Sequence, residues 1–173
     1  MSGLIHIYCG EGKGKTSDAL GLALRAAGAG MKVLFVQFLK DGSSSEIALL
    51  EKLGIETACC PHIRKFVFQM TEAERLQAGE EYSRLLSSAL SRCREEGFGL
   101  LVLDEVLPAC RLGLVPEEAL MDFLRSKPRG LEVALTGREA SPALLELADY
   151  VTEMKKHKHP YDRGLQARKG IEF

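Results

Sequence analysis

The sequence predicts an α/β fold: a mostly parallel sheet with helices on both faces. Three observations predict it. Short apolar runs alternate with longer helical periods along the chain, the pattern of strand–helix–strand units. Val33 to Phe38 and Leu100 to Leu103 are near-continuous apolar runs, as strands covered on both faces are. Polar residues collect after Cys9, Phe38, Leu103 and Leu135, the carboxyl ends of strands, where parallel sheets bind their ligands.

Taken in order, Leu4 to Cys9 reads as the first strand and runs into a glycine-rich loop. Thr16 to Ala27 follows as a helix, with Leu20, Ala23, Leu24 and Ala27 expected on one face. Gly28 and Gly30 end it, since glycine accepts a left-handed cap cheaply. Val33 to Phe38 is the second strand, Ser45 to Leu53 a short helix, and Ile55 to Ala58 a third strand. Thr71 to Glu95 is the longest helical stretch. Thr71 caps it, Glu74 supplies the capping-box acid, and Tyr82, Leu85, Leu86, Ala89, Leu90 and Cys93 form its apolar stripe. Gly97 and Gly99 stop it before the strand Leu100 to Leu103. Pro116 suits the first turn of a helix that reaches Phe123 or Leu124. Leu131 to Leu135 is a strand ending at Thr136-Gly137-Arg138, Ser141-Pro142 opens a helix to Leu147, and Tyr150 to Met154 is the last strand. No repeat or low-complexity linker interrupts this order, so residues 1–173 read as a single domain.

Hydrophobic residues make up 46% of the chain and charged residues 27%, which excludes a disordered or fibrous protein. Lys plus Arg (23) nearly balances Asp plus Glu (24), so any anion site must be local. Apolar runs fall short of the ~20 residues of a membrane span, and the N-terminus has no basic region or cleavage site. A cytoplasmic protein with no membrane partner is expected. Five cysteines without CxxC spacing read as reduced, buried small side chains, and no structural metal is expected. The basic segment from Lys155 to Lys169 has no stacking aromatic besides Tyr161, so it reads as solvated and not as a nucleic-acid site.

Gly10-Glu11-Gly12-Lys13-Gly14-Lys15-Thr16 lies between the first strand and the first helix. In that context the glycines let backbone N–H groups converge on phosphate oxygens, and the helix N-terminus adds its positive dipole. Lys15 supplies charge to a polyphosphate and the Thr16 hydroxyl can coordinate Mg²⁺. The pattern GxxxxGK[ST] would place its first glycine at Cys9, so either Gly10 opens a loop one residue shorter or the turn differs. Asp104-Glu105, closing the run Leu100 to Leu103, can hold Mg²⁺ directly or through water. These features predict nucleoside triphosphate binding on a P-loop NTPase (RecA-like) fold.

Further motifs follow in order: Leu24-Arg25-Ala26, Val36-Gln37-Phe38 with Lys40, Leu103-Asp104-Glu105 and Thr136-Gly137-Arg138. The tail adds Lys158-His159-Pro160-Tyr161-Asp162, Gly164, Gln166-Ala167 and Gly170-Ile171-Glu172-Phe173. Over nearly the whole length the chain resembles the P-loop ATP:corrinoid adenosyltransferases, whose short loop also carries a lysine between its glycines. The resemblance implies transfer of the 5′-deoxyadenosyl group of ATP to the cobalt(I) of a reduced corrinoid, with release of triphosphate. It implies ATP bound in the reverse sense along the loop by Gly10, Glu11, Gly12, Lys13, Gly14, Lys15, Thr16 and Ser17, with Arg25 near the ribose or the metal. It makes Lys15, Thr16 and Glu105 catalytic, and Thr16, Asp104 and Glu105 the Mg²⁺ ligands. It also implies a reduced flavoprotein as electron donor and a homodimer.

Phe66-Val67-Phe68 falls where family members place a Phe-x-Trp pair that excludes the lower cobalt ligand. Two readings stay open for these rings: a corrinoid wall, or a strand face packed into the core. The tail residues Lys158 and His159 are the other corrinoid contacts the resemblance implies. Two other functions compete. A nucleoside or small-metabolite kinase would need a lid with several arginines, and Arg92, Arg94 and Arg111 are scattered. A motor or non-catalytic ATPase module would need a partner surface that so neutral a chain does not display.

Overall fold

The computed structural model describes residues 2–63 and 65–172; Phe173 of the closing motif lies outside them. Six strands form one sheet: β1 (Ile5–Cys9), β2 (Val33–Gln37), β3 (Glu56–Ala58), β4 (Leu100–Asp104), β5 (Glu132–Thr136) and β6 (Tyr150–Glu153). Their order across the sheet is β3-β2-β4-β5-β1-β6, and every pairing is parallel. One strand, β5, therefore separates the strand that feeds the glycine-rich loop from the strand that ends in Asp104. That spacing is the RecA-like arrangement of a P-loop fold.

Six helices connect the strands: α1 (Lys15–Gly28), α2 (Ile47–Lys52), α3 (Glu72–Glu95), α4 (Val106–Arg111), α5 (Glu117–Ser126) and α6 (Pro142–Leu147). Successive strand residues face opposite ways, so Val33 and Phe35 join a cluster with α1 and α2, while Leu34 and Val36 join the larger cluster under α3 to α6. Parallel sheets need both covers, because their strands are apolar on both faces.

The expected face of α1 is partly wrong. Ala19, Ala23 and Ala26 are buried, Leu20 is only half-buried and Leu24 is 44% exposed. Three alanines in a stripe let the helix axis lie close over the sheet, with Leu20 and Leu22 packed at the margins of the cluster and Leu24 turned outward. The reading of α3 holds: Thr71 Oγ accepts from the Glu74 N–H at 3.2 Å, and the Glu74 carboxylate accepts from the Thr71 N–H at 2.9 Å. Sequence reading missed α4, which carries Pro108 and is apolar nearly all round, with Val106, Leu107, Ala109 and Cys110 buried. A six-residue helix with no polar face has no period to detect.

The core reading of Phe66 and Phe68 is overturned. Val67–Gln69 is a single 3₁₀ turn, and Phe66 and Phe68 are 66% and 83% exposed. Among the cysteines, Cys60, Cys93 and Cys110 are buried while Cys9 and Cys59 are half-buried, all with free thiols.

Candidate active site

The glycine-rich loop is held against the end of β6. The Gly10 N–H donates to the Arg138 carbonyl at 2.7 Å and the Gly12 N–H to the Met154 carbonyl at 2.6 Å. Gly10 has φ 99° and Gly14 φ 122°, conformations that side chains resist. A Cβ on Gly12 would lie 2.6 Å from the Met154 carbonyl oxygen, so the loop must be glycine there to pack this closely. Lys15 begins α1, and its ammonium donates to the Gly10 and Gly12 carbonyls at 2.7 Å each. Thr16 and Ser17 complete the first turn, under the N–H groups that a 14-residue helix leaves free. Glu11 is exposed and pairs with Arg138 at 3.2 Å.

Three buried polar side chains, Gln37, Asp104 and Thr136, stand in one row across β2, β4 and β5. Asp104 is fully buried and is the hub of the row. Its Oδ1 accepts the hydroxyls of Thr16 and Thr136, each at 2.8 Å, which ties the phosphate loop to the central strand. Its Oδ2 accepts the Lys40 ammonium at 2.8 Å and the Gln37 amide at 3.4 Å. Gln37 also donates to Glu46 at 3.1 Å, and its Oε1 is buried with no hydrogen-bond partner.

Glu105 follows in a left-handed conformation at φ 58° and starts α4, its N–H donating to Thr136 Oγ1 at 2.8 Å. Burial pushes its carboxyl above the usual range, and the neighbouring Asp104 adds to this; Lys40, Lys15 and Arg138 pull the other way. Leu39 is the second residue of this kind, at φ 55°. Such a conformation in a bulky side chain costs on the order of 1–3 kcal/mol. The preceding Phe38 is fully buried, donates its N–H to the Asp104 carbonyl at 2.9 Å and packs on Tyr82 of α3 with ring centroids 5.9 Å apart.

Not every expected residue joins this cluster. Arg25 lies exposed in the last turn of α1, ten residues beyond Lys15 and so about 15 Å along the helix axis. Phe66 and Phe68 stack on each other with centroids 5.5 Å apart and planes 7° from parallel. Their segment joins the carboxyl end of β3 to the start of α3, so it lies on the same edge of the sheet as the loop. Four strand spacings separate β3 from β1, roughly 19 Å. Lys158 is exposed, and His159 accepts the Tyr161 N–H at 3.2 Å on entering a 3₁₀ turn, Pro160–Arg163. The far end of the tail returns to the loop: Lys13 donates to the Ile171 carbonyl at 2.8 Å and to Glu172 at 3.0 Å.

A family model described as ATP:corrinoid adenosyltransferase BtuR/CobO/CobP matches residues 1–173. The chain belongs to this family. It is 34% identical to a corrinoid adenosyltransferase of Pseudomonas aeruginosa over 99% of this chain and 84% of that protein. A corrinoid adenosyltransferase of Escherichia coli K12 is 33% identical over 99% of this chain and 86% of that protein. A KaiC-like protein of Pyrococcus horikoshii shares the fold, with TM-score 0.51 and 18% identity over 98% of this chain and 76% of that one.

In this member of the ATP:corrinoid adenosyltransferase family, the polar row across the sheet is the part that sequence reading left unassembled. Gln37, Lys40, Thr136 and Arg138 stood in its motifs without roles. Their only signal was a polar residue at the end of an apolar strand, and register alone makes that signal a site. The arginines weighed for a kinase lid are engaged elsewhere, Arg94 over the Phe123 ring. Arg92 is paired with Glu56 and Glu96 at the amino end of the sheet, and Arg111 is paired with Glu139.

Proposed function

We infer that this chain transfers the 5′-deoxyadenosyl group of ATP to the cobalt of a reduced corrinoid and releases triphosphate. The observation that carries this reading is the pairing, on one edge of the sheet, of a built polyphosphate site with an exposed, stacked phenylalanine platform. In the reaction the cobalt(I) lone pair forms the bond to the 5′ carbon, and the carbon–oxygen bond breaks with its electron pair going to triphosphate. The protein's work is therefore to position the carbon and to stabilise the leaving group. The backbone N–H groups of Gly10 to Gly14 and the N-terminus of α1 receive phosphate oxygens, and Lys15 leaves the loop carbonyls to neutralise them.

Mg²⁺ prefers oxygen ligands, with one or two carboxylates and several waters. The Thr16 hydroxyl, the Asp104 and Glu105 carboxylates and the orphaned Gln37 Oε1 form such an oxygen-rich set. Thr16 and Glu105 would hold the ion, with Asp104 behind them, and the ion would supply further charge neutralisation to the triphosphate. Phe66 and Phe68 would face the corrin ring, and Lys158 and His159 its polar periphery. Arg25 would contribute to this site only from the far end of α1, and we assign it no contact with the loop. The proposal extends to a single-domain, cytoplasmic homodimer supplied with electrons by a reduced flavoprotein.

Anaerobic incubation with ATP, Mg²⁺ and chemically reduced corrinoid tests the reading. Growth of the cobalt–carbon absorption with triphosphate in the phosphorus NMR spectrum is the expected result. ADP and orthophosphate as the only phosphorus products would overturn it.

A further inference from the structure

Lys40 has no role in the reading so far, yet its ammonium is the cation held directly on the buried Asp104. The two cations of the loop are engaged elsewhere, Lys15 on the Gly10 and Gly12 carbonyls and Lys13 on Ile171 and Glu172. In its fully buried position Asp104 is met by the Lys40 ammonium and by the donors Thr16, Thr136 and Gln37. A buried, paired carboxylate is an ordinary structural device. Three features point further.

The Lys40 ammonium and the Thr16 hydroxyl sit on the two oxygens of one carboxylate, so Lys40 lies beside the place where phosphate oxygens meet α1. The side chain of Lys40 is 30% exposed, so unlike Asp104 it is not enclosed by protein and can move. Lys40 follows directly on Leu39, whose backbone is left-handed at φ 55°, and on the fully buried Phe38, whose N–H donates to the Asp104 carbonyl. A divalent cation arriving near Thr16 and Glu105 supplies Asp104 with a new positive neighbour and repels the ammonium already there. The incoming triphosphate attracts that ammonium.

We propose that Lys40 is an exchanging counter-ion: it sits on Asp104 while the site is empty and moves onto the triphosphate when the nucleotide is bound. There it becomes a second cation for the leaving group beside Lys15. The proposal rests on the nucleotide-site part of the adenosyltransferase reading and requires nothing of the corrinoid.

Calorimetric titration with tripolyphosphate and Mg²⁺, without corrinoid, tests it. Lys40→Gln should weaken tripolyphosphate binding about tenfold or more and leave adenosine binding unchanged, while Lys40→Arg should retain most of the affinity. Removing Lys40 alone strands the Asp104 charge and could unfold the chain, so the same comparison is made between Asp104→Asn and the double variant with Lys40→Gln. In that background Lys40 has no carboxylate to serve, and a fixed structural counter-ion would leave the two chains with equal affinity. Equal affinity in both comparisons, with the wild-type chain binding tripolyphosphate, overturns the role given to Lys40 and leaves the adenosyltransferase reading standing. A wild-type chain that binds no tripolyphosphate overturns both.

Discussion

Lys15→Ala leaves the loop with N–H groups alone to face a triphosphate. The expected loss is about 3 kcal/mol or more of leaving-group stabilisation, which lowers turnover about a hundredfold or more in a standard assay. Thr16→Ala and Glu105→Ala should each raise the Mg²⁺ concentration needed for half-maximal activity while the folded content by circular dichroism stays the same; unchanged Mg²⁺ titrations would mean that other residues hold the ion. Glu105 also gives a pH test. Its carboxyl titrates above the ordinary range when folded, because burial and Asp104 oppose its charge. The folded state therefore binds the proton more tightly than the unfolded one, and stability falls as pH rises from the unfolded value of about 4.3 through the folded one. Glu105→Gln should accordingly raise the melting temperature in metal-free buffer at neutral pH, and the gain should vanish on acidification below about pH 4. Equal melting at neutral pH would show that the charge costs nothing. At this scale the sequence announced Lys15, Thr16, Asp104 and Glu105 by type and spacing. It could not announce that Lys40 lies on Asp104, because the two are 64 residues apart and only the strand register brings them together.

Among the elements, the turn Val67–Gln69 and the helix α4 carry the clearest tests. Phe68 is 83% exposed, so truncating it creates no cavity. Phe68→Ala should leave both the melting temperature and ATP affinity nearly unchanged. If the ring excludes the lower cobalt ligand, activity should fall sharply when reduction occurs on the enzyme and much less with pre-reduced corrinoid; equal activity in both assays would remove the ring from the corrinoid site. Gly137 sits where a Cβ would meet Pro108 at 2.4 Å and Leu107 at 2.6 Å, both in α4. Gly137→Ala must push α4 away from β5 and take Glu105 with it. A stability loss of about 1–3 kcal/mol is expected, together with a raised Mg²⁺ requirement, read by melting and metal titration. The strands and long helices were legible because burial on two faces and a 3.6-residue period leave marks in composition. The packed face of α1 was misjudged for a related reason: hydropathy favours leucine, whereas the close approach of helix to sheet selected alanine.

Across the whole molecule, the sheet order explains why the site lies where it does. The loop of β1 and the acid of β4 face each other across β5, and Thr136 at the end of β5 bonds to Asp104 between them. The same order has a consequence in time. Among the described residues β1 pairs with β5 and β6, which follow it by more than 120 residues, while β2 finds β3 and β4 much earlier. The strand that carries the phosphate loop is thus synthesised before the two strands that seat it. Until residue 132 and beyond have been added, a nascent chain holds an apolar strand with both edges bare, a state open to wrong pairing and to chaperones. Chains arrested before β5 should remain cleavable within β1, and chains arrested after β6 should resist, so limited proteolysis of the two would time the assembly of the nucleotide site to the closing stretch of synthesis.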